Sequence, residues 1–210
     1  MTMNFMTAKE IEGGFTWTLT SRLGQILRGI EPLYGPRDKD YTILGIEFSQ
    51  SGPQIWYPAN CKNIVIQLSL FSQENLLSAL YELSHEAIHL LSPSGGQMAS
   101  VLEEGLATFH SWNYVLKVLD VDYRSRTSHK YREAALLVEK LLTQNPKFFI
   151  QVRSKQFDIG KIDVAHIKEF CPQIEDEEAD LLVSSFEEFT PVMNLTKNDG
   201  FISRYENSIL

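Results

Sequence analysis

His85-Glu86-Ala87-Ile88-His89 sets two imidazoles four residues apart, with a carboxylate directly after the first. On a helix, residues i and i+4 lie on one face, a turn apart. Two imidazoles so placed reach one zinc ion from the same side, and the Glu between them projects near the open side of the metal. There it can take a proton from a bound water. The pattern marks His85 and His89 as candidate ligands and Glu86 as candidate general base. Five residues are a short pattern, and average composition yields such a match in roughly 1% of chains this long. The context has to decide.

At 100° per residue, Leu76, Leu77, Leu80, Leu83, Ala87, Ile88, Leu90 and Leu91 share one broad arc of the helix. His85, His89, Glu82, Glu86, Asn75 and Ser78 share another. The histidines are therefore expected off the core face, at a site or on a solvated surface. A zinc site needs a third ligand, and "VLEEGLATFHSW" offers Glu103 and Glu104. Around Glu104 fall Thr108, Phe109, Ser111, Trp112, Val115, Leu116 and Leu119, whereas Glu103 falls with His110, Tyr114 and Lys117. Glu104 is expected to point into the core and Glu103 into solvent. A buried carboxylate needs a cation or strong donors. A metal held by the two histidines is one such partner. An ion pair with Arg124, Arg126 or Arg132 is the other.

The elements that must position these groups can be read from periodicity. Residues 15–31 have helical spacing, and the helix is expected to stop before Pro32. "YTILGIEF" (41–48) and "PQIWYP" (53–58) read as two strands with a turn at "SQSG", and "NIVIQLSL" (63–70) as a third. From Ser72, a good N-cap with Glu74 in the first turn, helical period dominates. Helices are expected from there to about Leu91, then over about 101–120, 128–144, 163–170 and 176–188. A helix, a small sheet and then several helices make an α+β class, since strands and helices do not alternate. The expected organisation is one domain over 1–190, with a sheet-containing lobe at about 36–92 and a helical lobe at about 98–190. A polar tail follows at 191–210.

Composition narrows the partners. Of 210 residues, 43% are hydrophobic and 22% charged, which is ordinary globular usage. The formal charge is −8 with no Lys/Arg run, so neither nucleic acid nor an anionic membrane is an expected partner. The two cysteines, Cys61 and Cys171, make no CxxC. No basic leader with an apolar run opens the sequence, and no stretch nears the ~20 apolar residues of a membrane span. These features lead to an expectation of a cytoplasmic protein. The triplet at Asn194 to Thr196 is then an unused surface sequence.

"HEAIH" followed by "EEGLATF" resembles the gluzincin-type zinc metallopeptidases, over about residues 63–115. The resemblance implies a zincin-like fold. It also implies Zn2+ bound by His85, His89 and Glu104, with Glu86 as general base. Gly105 and Ala107 match the small residues that let the two helices pack closely, and Phe109 matches the aromatic. Two departures stand out. Residues 90–103, 14 in number, form a shorter spacer than in the aminopeptidase branch. Thr108 stands where thermolysin-like members carry an Asp that orients a histidine. The family's strand before the metal helix is a sheet edge that aligns an extended substrate, and residues 63–70 take that place or form an ordinary strand. An oxyanion donor from a later helix is implied, with Tyr131 and His129 ahead of Tyr114 and His110. The expectation is hydrolysis of peptide bonds in a peptide or protein substrate, which could be one dedicated protein partner. The alternative is a gluzincin-like module that binds or regulates without turnover. A deformylase is a third reading, disfavoured because Cys61 in "PANCKN" does not match its Cys ligand.

Overall fold

A computed structural model describes residues 5–59 and 62–191. A ribbon of β1 (Glu10–Ile11) and β2 (Gly14–Phe15) precedes α1 (Leu19–Tyr34). The sheet strands β3 (Thr42–Ser49), β4 (Gln54–Trp56) and β5 (Asn63–Ser69) follow. Then come α2 (Leu76–His89), α3 (Val101–Leu119), α4 (His129–Gln144), α5 (Phe148–Lys155), α6 (Val164–Phe170) and α7 (Asp176–Val183). The class is α+β, in the order expected. Neither the ribbon nor α5 was expected from periodicity, and α7 ends five residues early. One cluster of buried apolar side chains runs from Phe5 to Phe189.

Thr18 caps α1: its hydroxyl accepts from the Ser21 amide, and the Ser21 hydroxyl accepts from the Thr18 amide. The helix does not stop before Pro32, which lies within its last turn. A proline there removes one intrahelical bond. The turn still closes, because the Gly35 amide donates to the Glu31 carbonyl at 2.9 Å. Gly35 has φ of 94°, and a Cβ there would stand 3.1 Å from Arg153 Nη1. That guanidinium is buried and donates to the carbonyls of Tyr34, Pro36, Leu91 and Phe157. It ties the end of α1 to the residues just past α2.

The sheet departs from the expected pairing. β3 and β4 do not pair with each other; β5 lies between them, parallel to β3 and antiparallel to β4. Ile64, Ile66 and Leu68 are fully buried. On the alternate residues, Gln54 Nε2 donates to Gln67 Oε1 and Gln67 Nε2 to Glu47 Oε1, each at 2.6 Å. As the central strand, β5 is not the edge that an extended substrate would need. Among the described strands, β4 has one side unpaired.

Ser72 does not cap α2 but sits in a 3-10 turn, Leu70–Gln73. Asn75 is the cap, its side chain accepting from the Ser78 amide at 3.0 Å. Glu82 locks α2 to the sheet by accepting from the Ser69 amide (2.8 Å) and hydroxyl (2.7 Å). α3 is enclosed by α2, α4, α7 and the turn Ile159–Lys161. Gly105 serves a different neighbour from the one expected. A Cβ there would lie 2.4 Å from the Ala134 carbonyl oxygen, so the glycine admits α4 rather than α2.

Cys171 is buried and, among the described residues, forms no disulfide. Cys61, the triplet at 194–196 and the tail beyond Pro191 lie outside the described residues. Among the described residues no helix is long and apolar enough to cross a membrane.

Candidate metal centre

The packing of α2 on α3 brings Glu104 between His85 and His89. Glu104 Oε2 lies 3.1 Å from His85 Nε2, and Oε1 lies 3.6 Å from His89 Nε2. One ligand atom from each of the three residues falls within 4.8 Å of the others. Donors of a tetrahedral zinc with bonds near 2.0–2.1 Å stand about 3.3 Å apart. The two separations, each to a different oxygen of Glu104, lie near that value, and the group could hold a metal ion. Among the described residues no arginine pairs with Glu104; Arg124 pairs instead with Glu139 at 3.2 Å.

Glu103 is the largest correction. It is 3% exposed, not solvated, and its Oε1 lies 2.7 Å from His89 Nδ1. A ligand imidazole is usually oriented by a carboxylate on its far nitrogen. Glu103 therefore supplies what Thr108, also buried, does not. Its backbone is set by Ser100, whose hydroxyl caps α3 by accepting from the Glu103 amide at 3.2 Å. Glu103 is not solvated because α3 has no solvent face on that side, where α2 and the turn Ile159–Lys161 pack. A signal was present: Leu106 and Ala107 flank Glu103 and His110 on the same arc, and both are fully buried. Glu103→Ala is expected to weaken metal binding by roughly 10–100-fold, with partial rescue in Glu103→Gln, whose amide oxygen still accepts. Competition against a chromophoric chelator measures this; equal affinity in all three proteins would remove Glu103 from the site.

The electrostatics are those of shielded, opposed charges. Burial alone would lower the His89 pKa, but the Glu104 charge and the Glu103 hydrogen bond outweigh it and raise it to about 10. Burial alone would raise Glu104, and the two histidines outweigh it and hold its carboxyl below the usual range. Glu86 is 4% exposed, and burial pushes its pKa up against the pull of His89 and His85. Burial also raises the phenols of Tyr81, to about 12, and of Tyr131, where the Glu104 and Glu86 charges add to it. Both remain hydrogen-bond donors at neutral pH.

These groups line a cleft of about 690 Å3. One wall is β4 with Tyr57; another carries Tyr81, Tyr123 and Tyr131. Tyr131 meets His85 ring to ring at 5.8 Å. His129 is not among the lining residues and pairs with Glu133 at 3.1 Å. Phe186 and Glu187 close the rim. They are held by a strap in which the Val101 amide donates to Ser184 and the Phe186 amide to Ala99. Tyr114 and His110 lie outside this cleft.

His110 is 8% exposed, and burial, with the His85 charge adding, lowers its pKa from 6.5 to about 4. The unfolded chain therefore takes up this proton first. The group has no effect on stability above pH 6.5, and stability falls as pH drops from 6.5 to 4, by about 3 kcal/mol in total. Urea midpoints at pH 7.5 and 4 should show the loss, and His110→Gln should reduce it. An identical loss in the variant would assign it to other groups.

No protein-family model, curated protein or solved structure matches the chain.

Proposed function

We propose that the chain is a zinc-dependent metallopeptidase of zincin-like fold and gluzincin type, with His85, His89 and Glu104 holding Zn2+. The observation that carries this reading is one carboxylate from α3 meeting both histidines of α2, with Glu86 buried beside them. Two imidazoles and one carboxylate suit zinc, which when bound supplies a Lewis acid that makes a water acidic near neutral pH.

The remaining work falls to side chains. The Glu86 carboxylate takes the proton from the attacking water. It returns that proton to the amine nitrogen as the C–N bond breaks. Its shielding raises its basicity toward that task. The Tyr131 hydroxyl, kept protonated, donates to the oxygen that gains charge as the carbonyl is attacked. Glu103 holds the His89 ring in place. β4 lines the cleft and has an unpaired side, so an extended peptide can add there as a strand.

Metal analysis of purified protein should find about one zinc per chain. A peptide library should be cut, with cutting lost to chelator and restored by zinc. Zinc that is absent and cannot be restored overturns the reading. Zinc without cleavage points to the binding module instead.

A further inference from the structure

A second cavity, of about 280 Å3, lies between α1 and α3 and shares no lining residue with the metal cleft. Arg22 and Gln25 contribute from α1, and His110, Asn113, Tyr114 and Lys117 from α3. Among the described residues no aspartate or glutamate lines it.

Three of these residues have a shielded polar atom without a partner among the described residues: Arg22 Nε, His110 Nε2 and the Tyr114 hydroxyl. Arg22 is otherwise fixed, with Nη1 donating to Gln25 Oε1 at 2.9 Å and its plane 4.4 Å from the Trp17 ring. The rings of His110 and Tyr114 lie 6.2 Å apart. Arg22 from α1 and Tyr114 from α3 line the same cavity. His110 Nδ1 faces the Tyr34 hydroxyl at 3.4 Å, and Tyr34 is not part of the cavity. When that hydroxyl donates to Nδ1, the ring proton resides on Nε2, so Nε2 is a donor.

Folded proteins seldom leave buried donors without acceptors. Arg22 Nε and the Tyr114 hydroxyl in one cavity, joined by His110 Nε2 when Tyr34 donates to Nδ1, select an acceptor with several lone pairs and negative charge. We propose that this cavity binds a small oxyanion, a carboxylate or phosphate group, through Arg22, His110 and Tyr114, with Lys117 adding positive charge. The site is separate from the metal centre and does not depend on its assignment.

The test titrates inorganic phosphate, acetate and succinate into the protein as purified, against chloride at matched ionic strength. Calorimetry reads affinity, and the His110 ring resonances report the place. Saturable binding of phosphate or of a carboxylate is expected, and the arms tell which. Arg22→Gln and Tyr114→Phe should each weaken it by roughly tenfold while metal content is unchanged. Glu104→Gln should leave it intact. Two results overturn the proposal. One is no saturable binding of any of the three, which leaves the donors to water. The other is equal binding in wild type and both variants, which places the anion elsewhere.

Discussion

Under the proposed reading, Glu86→Gln is expected to keep its metal and to lose hydrolysis by roughly a hundred- to ten-thousand-fold, the range typical of a lost general base. The amide has the volume of the carboxylate, so the packing around a 4% exposed side chain is preserved. It cannot accept the proton of the attacking water. The variant removes a shielded charge whose pKa burial already raises, so the fold should be as stable as wild type or more so. Zinc content, a thermal melt and cleavage rates on one peptide together decide the matter. Full activity in the variant would end the assignment of Glu86 as base. Lost metal would make it a structural group.

Gly105→Ala should unfold the protein more easily, against the trend for its position. In the interior of an exposed helix the same change stabilises by about 1 kcal/mol, because glycine is the poorer helix former. Here the new Cβ would stand 2.4 Å from the Ala134 carbonyl oxygen and 2.8 Å from Val138 Cγ2. The oxygen belongs to the backbone of α4 and cannot rotate away, so α3 or α4 must shift. Overpacking of this kind costs about 1–3 kcal/mol, and the backbone contact argues for the upper end. Glu104 is the neighbouring residue on α3, so the shift also pulls its carboxylate from the histidines. Urea denaturation should show lower stability, and chelator competition a weaker metal. A more stable variant would mean that the α3–α4 contact is looser than described.

The sequence was most readable where one helix face decides everything. His85, Glu86 and His89 follow from i, i+4 spacing, and the structure sets Glu104 against both histidines. Reading failed where a residue's neighbours come from far away in the chain. Glu103 looked solvated because one helix wheel cannot show that α2 and the turn at 159–161 cover that side. The sheet order was hidden for the same reason. A short link between β3 and β4 suggests neighbours, yet β5 enters between them from later in the sequence. The fold around α5 rests on Phe148, Phe149 and Val152, three buried residues too few to set a period. Pro32 misled in the opposite sense, since its cost is small in a last turn that Gly35 closes.

The strap at residues 184–186 has a consequence for when the molecule becomes competent. The three candidate ligands are all in place by residue 104, but Phe186 and Glu187 complete the rim of the cleft. Their place depends on hydrogen bonds to Ala99 and Val101, at the opening of the helix that carries Glu104. During synthesis the three candidate ligands leave the ribosome some 80 residues before Phe186 and Glu187, which line the same cleft. A chain cut before Ser184 would keep the three candidate ligands but lack Phe186 and Glu187 from the cleft lining.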